Sequence, residues 1–237
     1  MPRTDVCARI REVGVIPAVR VSSAEEAHFA ADAVTSGGIP IVEITMTVPQ
    51  AVDLIAHLVR QHQDLLVGAG TVLDIETARQ CVDAGAQFLT ATGFDVALVE
   101  FAAKEDIAVL PGVLTPTEVI TAWKAGADFL KVFPCSQVGG YTYIKALKTA
   151  LPQIPLIAAG GVTQTTAASF ILAGASAIGV GTELTPPEAI AAKEFERIRE
   201  LAHRFAAAVR DARQRLGPDR QDRFPAKVDF GEFHKSS

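Results

Sequence analysis

Lys131 is the residue around which a reaction could be built. It stands in Phe129-Leu130-Lys131-Val132-Phe133, an apolar run in which no residue before Pro134 would carry an ammonium into solvent. Alternation along a strand puts Lys131 on the same face as Phe129 and Phe133. A buried ammonium is costly, and the neutral amine that burial favours is a nucleophile for carbonyl carbon. The structural alternative is a lysine that snorkels past a rim or pairs with a buried carboxylate.

Glu43 is the second such residue. In Ile41-Val42-Glu43-Ile44-Thr45 it is the only charge, flanked by valine and isoleucine. A carboxyl group in apolar surroundings suits proton transfer. It would equally serve as a structural partner of Lys131 or Arg20, and the two roles are compatible.

Two glycine-rich turns form a third signal. Ala158-Ala159-Gly160-Gly161-Val162 and Gly179-Val180-Gly181-Thr182 each close an apolar run and precede a helical pattern. Glycine there lets backbone N–H groups approach an anion, which points to a phosphorylated substrate. Tight turns without a ligand are the plain alternative. Gly68-Ala69-Gly70-Thr71 adds a hydroxyl able to bind a carboxylate or keto oxygen beside the lysine.

The elements that must position these residues alternate in type. Strands are expected at Gly14–Val21, Ile39–Thr45, Leu65–Gly70, Gln87–Ala91, Ile107–Pro111, Asp128–Phe133, Leu156–Ala159 and Ala177–Val180. Helical patterns fall between them, among them Ala24–Ser36, Val48–His62, Ile75–Ala84, Pro116–Ala125 and Thr163–Ala173. Strands that alternate with helices pair in parallel through right-handed crossovers. Eight such units predict an α/β protein, a (β/α)8 TIM barrel in a single domain. Ala84-Gly85-Ala86, Ala125-Gly126-Ala127 and Ala173-Gly174-Ala175 repeat one pattern, with Ser36-Gly37-Gly38 a looser copy. Each places a helix-ending glycine just before a strand and so marks the bottom of the barrel. Active sites in this fold lie at the opposite, C-terminal strand ends, which here carry Arg20, Glu43, Thr45, Thr71, Thr92 and Lys131. The barrel is expected over residues 1–216, with a charged tail outside it over 217–237.

Bulk properties narrow the partners. With 237 residues, a net charge of −5 and 21% charged residues, the chain suits a globular enzyme and shows no basic stripe for nucleic acid. Its N-terminus leads into no apolar run of signal or membrane-spanning length, so a cytoplasmic protein off the membrane is expected. Cys7, Cys81 and Cys135 are odd in number and far apart, and His28, His57, His62, His203 and His234 are scattered. No protein-held metal, no disulfide framework and no cofactor is therefore expected.

The motifs together resemble those of the 2-keto-3-deoxy-6-phosphogluconate / 4-hydroxy-2-oxoglutarate (KDPG/KHG) aldolases. The resemblance runs from about Val13 to Leu201. It rests on Val42-Glu43-Ile44-Thr45, Val67-Gly68-Ala69-Gly70-Thr71-Val72-Leu73, Leu110-Pro111-Gly112-Val113-Leu114-Thr115-Pro116-Thr117-Glu118, Leu130-Lys131-Val132-Phe133-Pro134, Tyr143-Ile144-Lys145-Ala146-Leu147-Lys148 and Gly160-Gly161-Val162. It implies a class I enzyme, usually a homotrimer, that cleaves a 2-keto acid to pyruvate and an aldehyde. Lys131 would be the Schiff-base lysine, Glu43 the general acid/base and Thr71 a ligand of the pyruvyl group. Arg20, Thr45, Thr92 and Phe133 would join Thr71 around the pyruvyl and carboxylate end, while Gly160, Gly161, Gly181 and Thr182 would hold a distal phosphate.

Departures from the family pattern fall around the substrate and spare the lysine and the glutamate. Thr47 stands where many members carry an arginine, and Arg20 fits a variant with the arginine at the end of strand one. Ala91-Thr92 replaces a common Ser-Pro, and Ala159 a common threonine. The expected reaction is cleavage of a 2-keto-3-deoxy sugar acid 6-phosphate, with the gluconate epimer first and the galactonate epimer or 4-hydroxy-2-oxoglutarate as alternatives. A phosphate-binding isomerase or epimerase on the same barrel lacks its clustered metal ligands here. A non-catalytic sugar-acid phosphate binder is the reading of another class.

Overall fold

The computed structural model describes residues 1–217, so the charged tail expected over 217–237 lies outside the described residues beyond Gly217. The strand segments are β1 (Val15–Val19), β2 (Ile41–Thr45), β3 (Leu66–Gly70), β4 (Phe88–Thr90), β5 (Ala108–Leu110), β6 (Gly112–Val113), β7 (Leu130–Val132), β8 (Leu156–Ala159) and β9 (Ala177–Val180). All pair in parallel, in the order β5-β4-β3-β2-β1-β9-β8-β7-β6. The two ends of that order, β5 and β6, are separated only by Pro111. Proline has no N–H to donate, so the ladder breaks there. β5 pairs with β4 and β6 with β7, which makes the two segments one interrupted fifth strand and rounds the sheet into the eightfold TIM barrel. The strand expected to stop at Pro111 thus continues through it.

The helices are α1 (Arg3–Val13), α2 (Ala24–Ser36), α3 (Ala51–Gln61), α4 (Ile75–Asp83), α5 (Val96–Lys104), α6 (Pro116–Ala125), α7 (Tyr141–Ala150), α8 (Gln164–Leu172), α9 (Pro187–Ala191) and α10 (Phe195–Leu216). Their starts follow capping chemistry. Ser23 accepts from the amide of Glu26, Asp74 from that of Thr77, and Thr115 forms a reciprocal box with Glu118. Helix α3 begins later than the expected Val48, because Gln50 is held at φ 56 after Pro49. The repeated glycines end their units as expected, with Gly85, Gly126 and Gly174 all at positive φ.

Helix α1 plugs the bottom of the barrel. Arg3 reaches Asp128 at 2.9 Å, and the Arg11 guanidinium lies 4.8 Å from the centroid of the Phe129 ring. Phe129 and Phe88 are fully buried and fill the interior above it. Above this floor, Glu43, Thr90 and Lys131 turn polar groups inward towards the C-terminal ends of the strands.

Candidate active site

Alternation along β7 carries the interior from Phe129 at the floor through Lys131 to Phe133 at the mouth. The Lys131 side chain is 12% exposed, and its Nζ lies 5.7 Å from the Phe133 ring centroid and 3.8 Å from Glu43 Oε1. Glu43 is 4% exposed, at the middle of β2 opposite Gly68 of β3. The two residues that sequence singled out first are therefore an ion pair inside the barrel.

The pair is joined through a side chain that sequence reasoning did not name. Thr90, 1% exposed on β4, donates its hydroxyl to Glu43 Oε2 at 2.9 Å. Its oxygen accepts from Lys131 Nζ at 3.2 Å. The signal was available in the alternation: Phe88, Thr90 and Thr92 share one face, and Thr90 is the polar side chain between two apolar neighbours. The sequence reading names Thr92, at the strand end, and not Thr90.

Above the pair opens a cavity of about 310 Å³. Arg20, Glu43, Thr71, Thr92, Lys131, Phe133, Gly160, Gly161, Gly181 and Thr182 all line it, together with Ala18, Ala159, Val162, Thr163, Gly179 and Glu183. Of the expected site residues only Thr45 is absent from this lining. It is 1% exposed, and its hydroxyl pairs with that of Thr47 at 2.6 Å. The short β2–α3 turn folds Thr47 back onto Thr45.

Thr71 sits at φ 59, a left-handed conformation that is uncommon for a β-branched residue. Held there at the end of β3, it faces the cavity. Such conformations cluster at functional positions because the surrounding structure must enforce them. On the other wall, Gly160 and Gly161 are at φ 82 and 81. A Cβ on Gly160 would come within 2.9 Å of Pro134 Cα and 3.0 Å of the Phe133 ring, so the turn needs a bare backbone. Arg20 stands on the same side, its Nη1 2.9 Å from where a Gly181 Cβ would be. The guanidinium thus lies beside the β9 turn. Glu183, which sequence reasoning missed, places a carboxylate on this rim.

Cys135 is fully buried beside the site, and burial pushes its thiol up to about 12. It is a packing residue. Among the described residues no three His, Cys, Asp or Glu side chains are grouped to hold a metal ion, and no helix is long and apolar enough to cross a membrane.

Residues 6–201 match the family model described as "Aldolase: KDPG and KHG aldolase". The 2-dehydro-3-deoxy-phosphogluconate aldolase of Treponema pallidum is 30% identical over 84% of this chain and 95% of its own. The 2-dehydro-3-deoxy-6-phosphogalactonate aldolase of Escherichia coli K12 is 36% identical over 84% and 96%. Among solved structures, a KDPG aldolase from Legionella pneumophila, with pyruvate captured as a covalent carbinolamine, is 29% identical with a TM-score of 0.79. That likeness covers 84% of this chain and 96% of that one.

Proposed function

The chain belongs to the KDPG/KHG aldolase family, a family of lyases, and on that premise we propose that it works through a Schiff base on Lys131, cleaving a 2-keto-3-deoxy sugar acid 6-phosphate to pyruvate and glyceraldehyde 3-phosphate. The observation that carries this reading is the placement of Lys131 Nζ 3.8 Å from Glu43 Oε1 at the base of the cavity. An amine and a carboxylate so close supply both the nucleophile and the proton acceptor that aldol cleavage requires.

The Lys131 amine adds to the C2 carbonyl, and loss of water from the carbinolamine leaves a protonated ketimine. Glu43 then takes the C4 hydroxyl proton. The C3–C4 bond breaks, its electron pair moves into the ketimine to form an enamine, and the aldehyde leaves. Protonation at C3 and hydrolysis release pyruvate and restore the amine. Thr71, Arg20, Thr92 and Phe133 surround the keto-acid end, while Thr45, bonded to Thr47, stands outside the lining. Gly160, Gly161, Gly181 and Thr182 receive the phosphate. The gluconate epimer is the first substrate to assay, with the galactonate epimer and 4-hydroxy-2-oxoglutarate as comparators.

Borohydride trapping with pyruvate tests the chemistry. The expected result is a reduced pyruvyl adduct on Lys131 by peptide mass spectrometry, absent from Lys131→Met. Failure to form that adduct would overturn the mechanism.

A homotrimer, working in the cytoplasm, completes the proposal. Leu73, Ile75 and Val96 expose apolar surface at the starts of neighbouring units, as a subunit contact would require. Light scattering on the purified protein would read the mass directly.

A further inference from the structure

We propose that Thr90 is the positioning residue of this site, relaying a proton between Lys131 and Glu43. The inference rests on the aldolase reading above and concerns how its first step is completed. Lys131 Nζ and Glu43 Oε1 are 3.8 Å apart, beyond the roughly 3.2 Å at which a hydrogen bond is strong enough to pass a proton. Thr90 Oγ1 closes the gap, 3.2 Å from Nζ and 2.9 Å from Glu43 Oε2. A hydroxyl has one proton to give. Since it goes to Glu43, the Thr90 oxygen must accept from the lysine, which fixes the direction of the chain.

The surroundings hold the hydroxyl in place. Thr90 is 1% exposed, its backbone pairs with Leu110 of β5, and its carbonyl accepts from the Val72 amide at 3.0 Å. A β-branched side chain on a fixed strand has little χ1 freedom.

Lys131 and Glu43 meet as an ion pair, so the ammonium must lose a proton before its nitrogen can bond to C2 of the keto acid. That proton moves to Thr90 Oγ1 while the hydroxyl proton moves to Glu43 Oε2. The nitrogen becomes neutral, the carboxylate becomes a carboxylic acid, and the hydroxyl is regenerated facing the other way. The amine then adds to C2 and passes one proton from its nitrogen to the C2 oxygen, which gives the carbinolamine. The Glu43 carboxylic acid protonates the departing hydroxyl, so water leaves, the ketimine carries the positive charge and Glu43 is again a carboxylate.

The test is the time course of borohydride-trapped pyruvyl adduct in the wild type, Thr90→Val and Thr90→Ser, with folding checked by circular dichroism. Valine keeps the shape and removes the hydroxyl. It should slow adduct formation about 10–100-fold, the usual scale of an assisted proton transfer, and change the pyruvate concentration at half-maximal rate by no more than about 2-fold. Serine keeps the hydroxyl and should restore the rate to within about 3-fold of the wild type. A solvent deuterium effect is expected in the wild type, should vanish with valine and should return with serine. A folded Thr90→Val that traps at the wild-type rate overturns the relay and leaves the aldolase reading standing. Equal losses in valine and serine assign the effect to packing and overturn it too. A wild type that traps no pyruvate overturns both.

Discussion

Gly70 lies against Glu43. A Cβ at residue 70 would stand 2.6 Å from the Glu43 carboxyl carbon and closer still to Oε1. The two residues stand diagonally across β2 and β3, in the register Thr45↔Gly70 and Glu43↔Gly68, so the glutamate bends over the end of β3 only because that strand ends in a residue without a side chain. Gly70→Ala is therefore expected to displace the carboxylate from Lys131 and Thr90. Turnover should fall about 10²-fold or more, the scale of a lost general base. Overpacking should cost about 1–3 kcal/mol of stability in urea unfolding. Full activity in a folded Gly70→Ala would show that the carboxylate's observed position is not needed.

Thr71 presents the opposite trade. At φ 59 it holds a conformation that costs an L-residue about 1–2 kcal/mol, whereas glycine would lose about 0.5–1 kcal/mol through unfolded-state entropy. Thr71→Gly should hold or slightly raise the melting temperature while raising KM for the keto acid. A clear drop in melting temperature would show that the side chain is there for packing.

Glu183 shares a rim with the Gly160-Gly161 and Gly181-Thr182 turns. A carboxylate beside a phosphate site repels the ligand, and a solvated charge does so weakly and in a salt-dependent way. Glu183→Gln should lower KM for a phosphorylated aldehyde in the condensation direction by about 2–5-fold at low salt. An unphosphorylated aldehyde should be unaffected. Equal effects on both aldehydes would place the phosphate elsewhere.

His28, His57 and His62 form a cluster between α2 and α3. His28 Nδ1 lies 3.1 Å from His62 Nε2, the His28 and His57 rings meet edge to face at 4.3 Å, and His62 Nδ1 faces Asp32 at 3.6 Å. Desolvation first, then His57 and His62, hold His28 below its ordinary 6.5, with Asp32 opposing them. A base lowered in the folded state folds preferentially when neutral. Its contribution is full above 6.5 and is lost as pH falls through the lower folded value. The melting temperature should drop between pH 7 and pH 5, and His28→Gln should lessen that drop. An unchanged drop in the variant would exonerate the cluster.

Much of the site was readable along the chain because a strand's alternation is a local property. Lys131 and Glu43 are lone charges in apolar strands, and the sheet period assigns each to the interior without reference to any other residue. The paired glycines and Thr71 sit at strand ends, which the βα order alone directs to one face. Local pattern likewise determined the parallel barrel and the glycines that end its helices.

Tertiary structure decided what depends on distance between strands. Thr90 acquires its role only because β4 lies midway between β2 and β7, two strands from each, so that its hydroxyl falls between groups 47 and 41 residues away. No one-dimensional pattern specifies that gap. The approach of Glu183 to the Gly160-Gly161 turn and the gathering of three scattered histidines have the same origin. Each depends on the radius and twist of a closed sheet, which the packing of all its strands sets together.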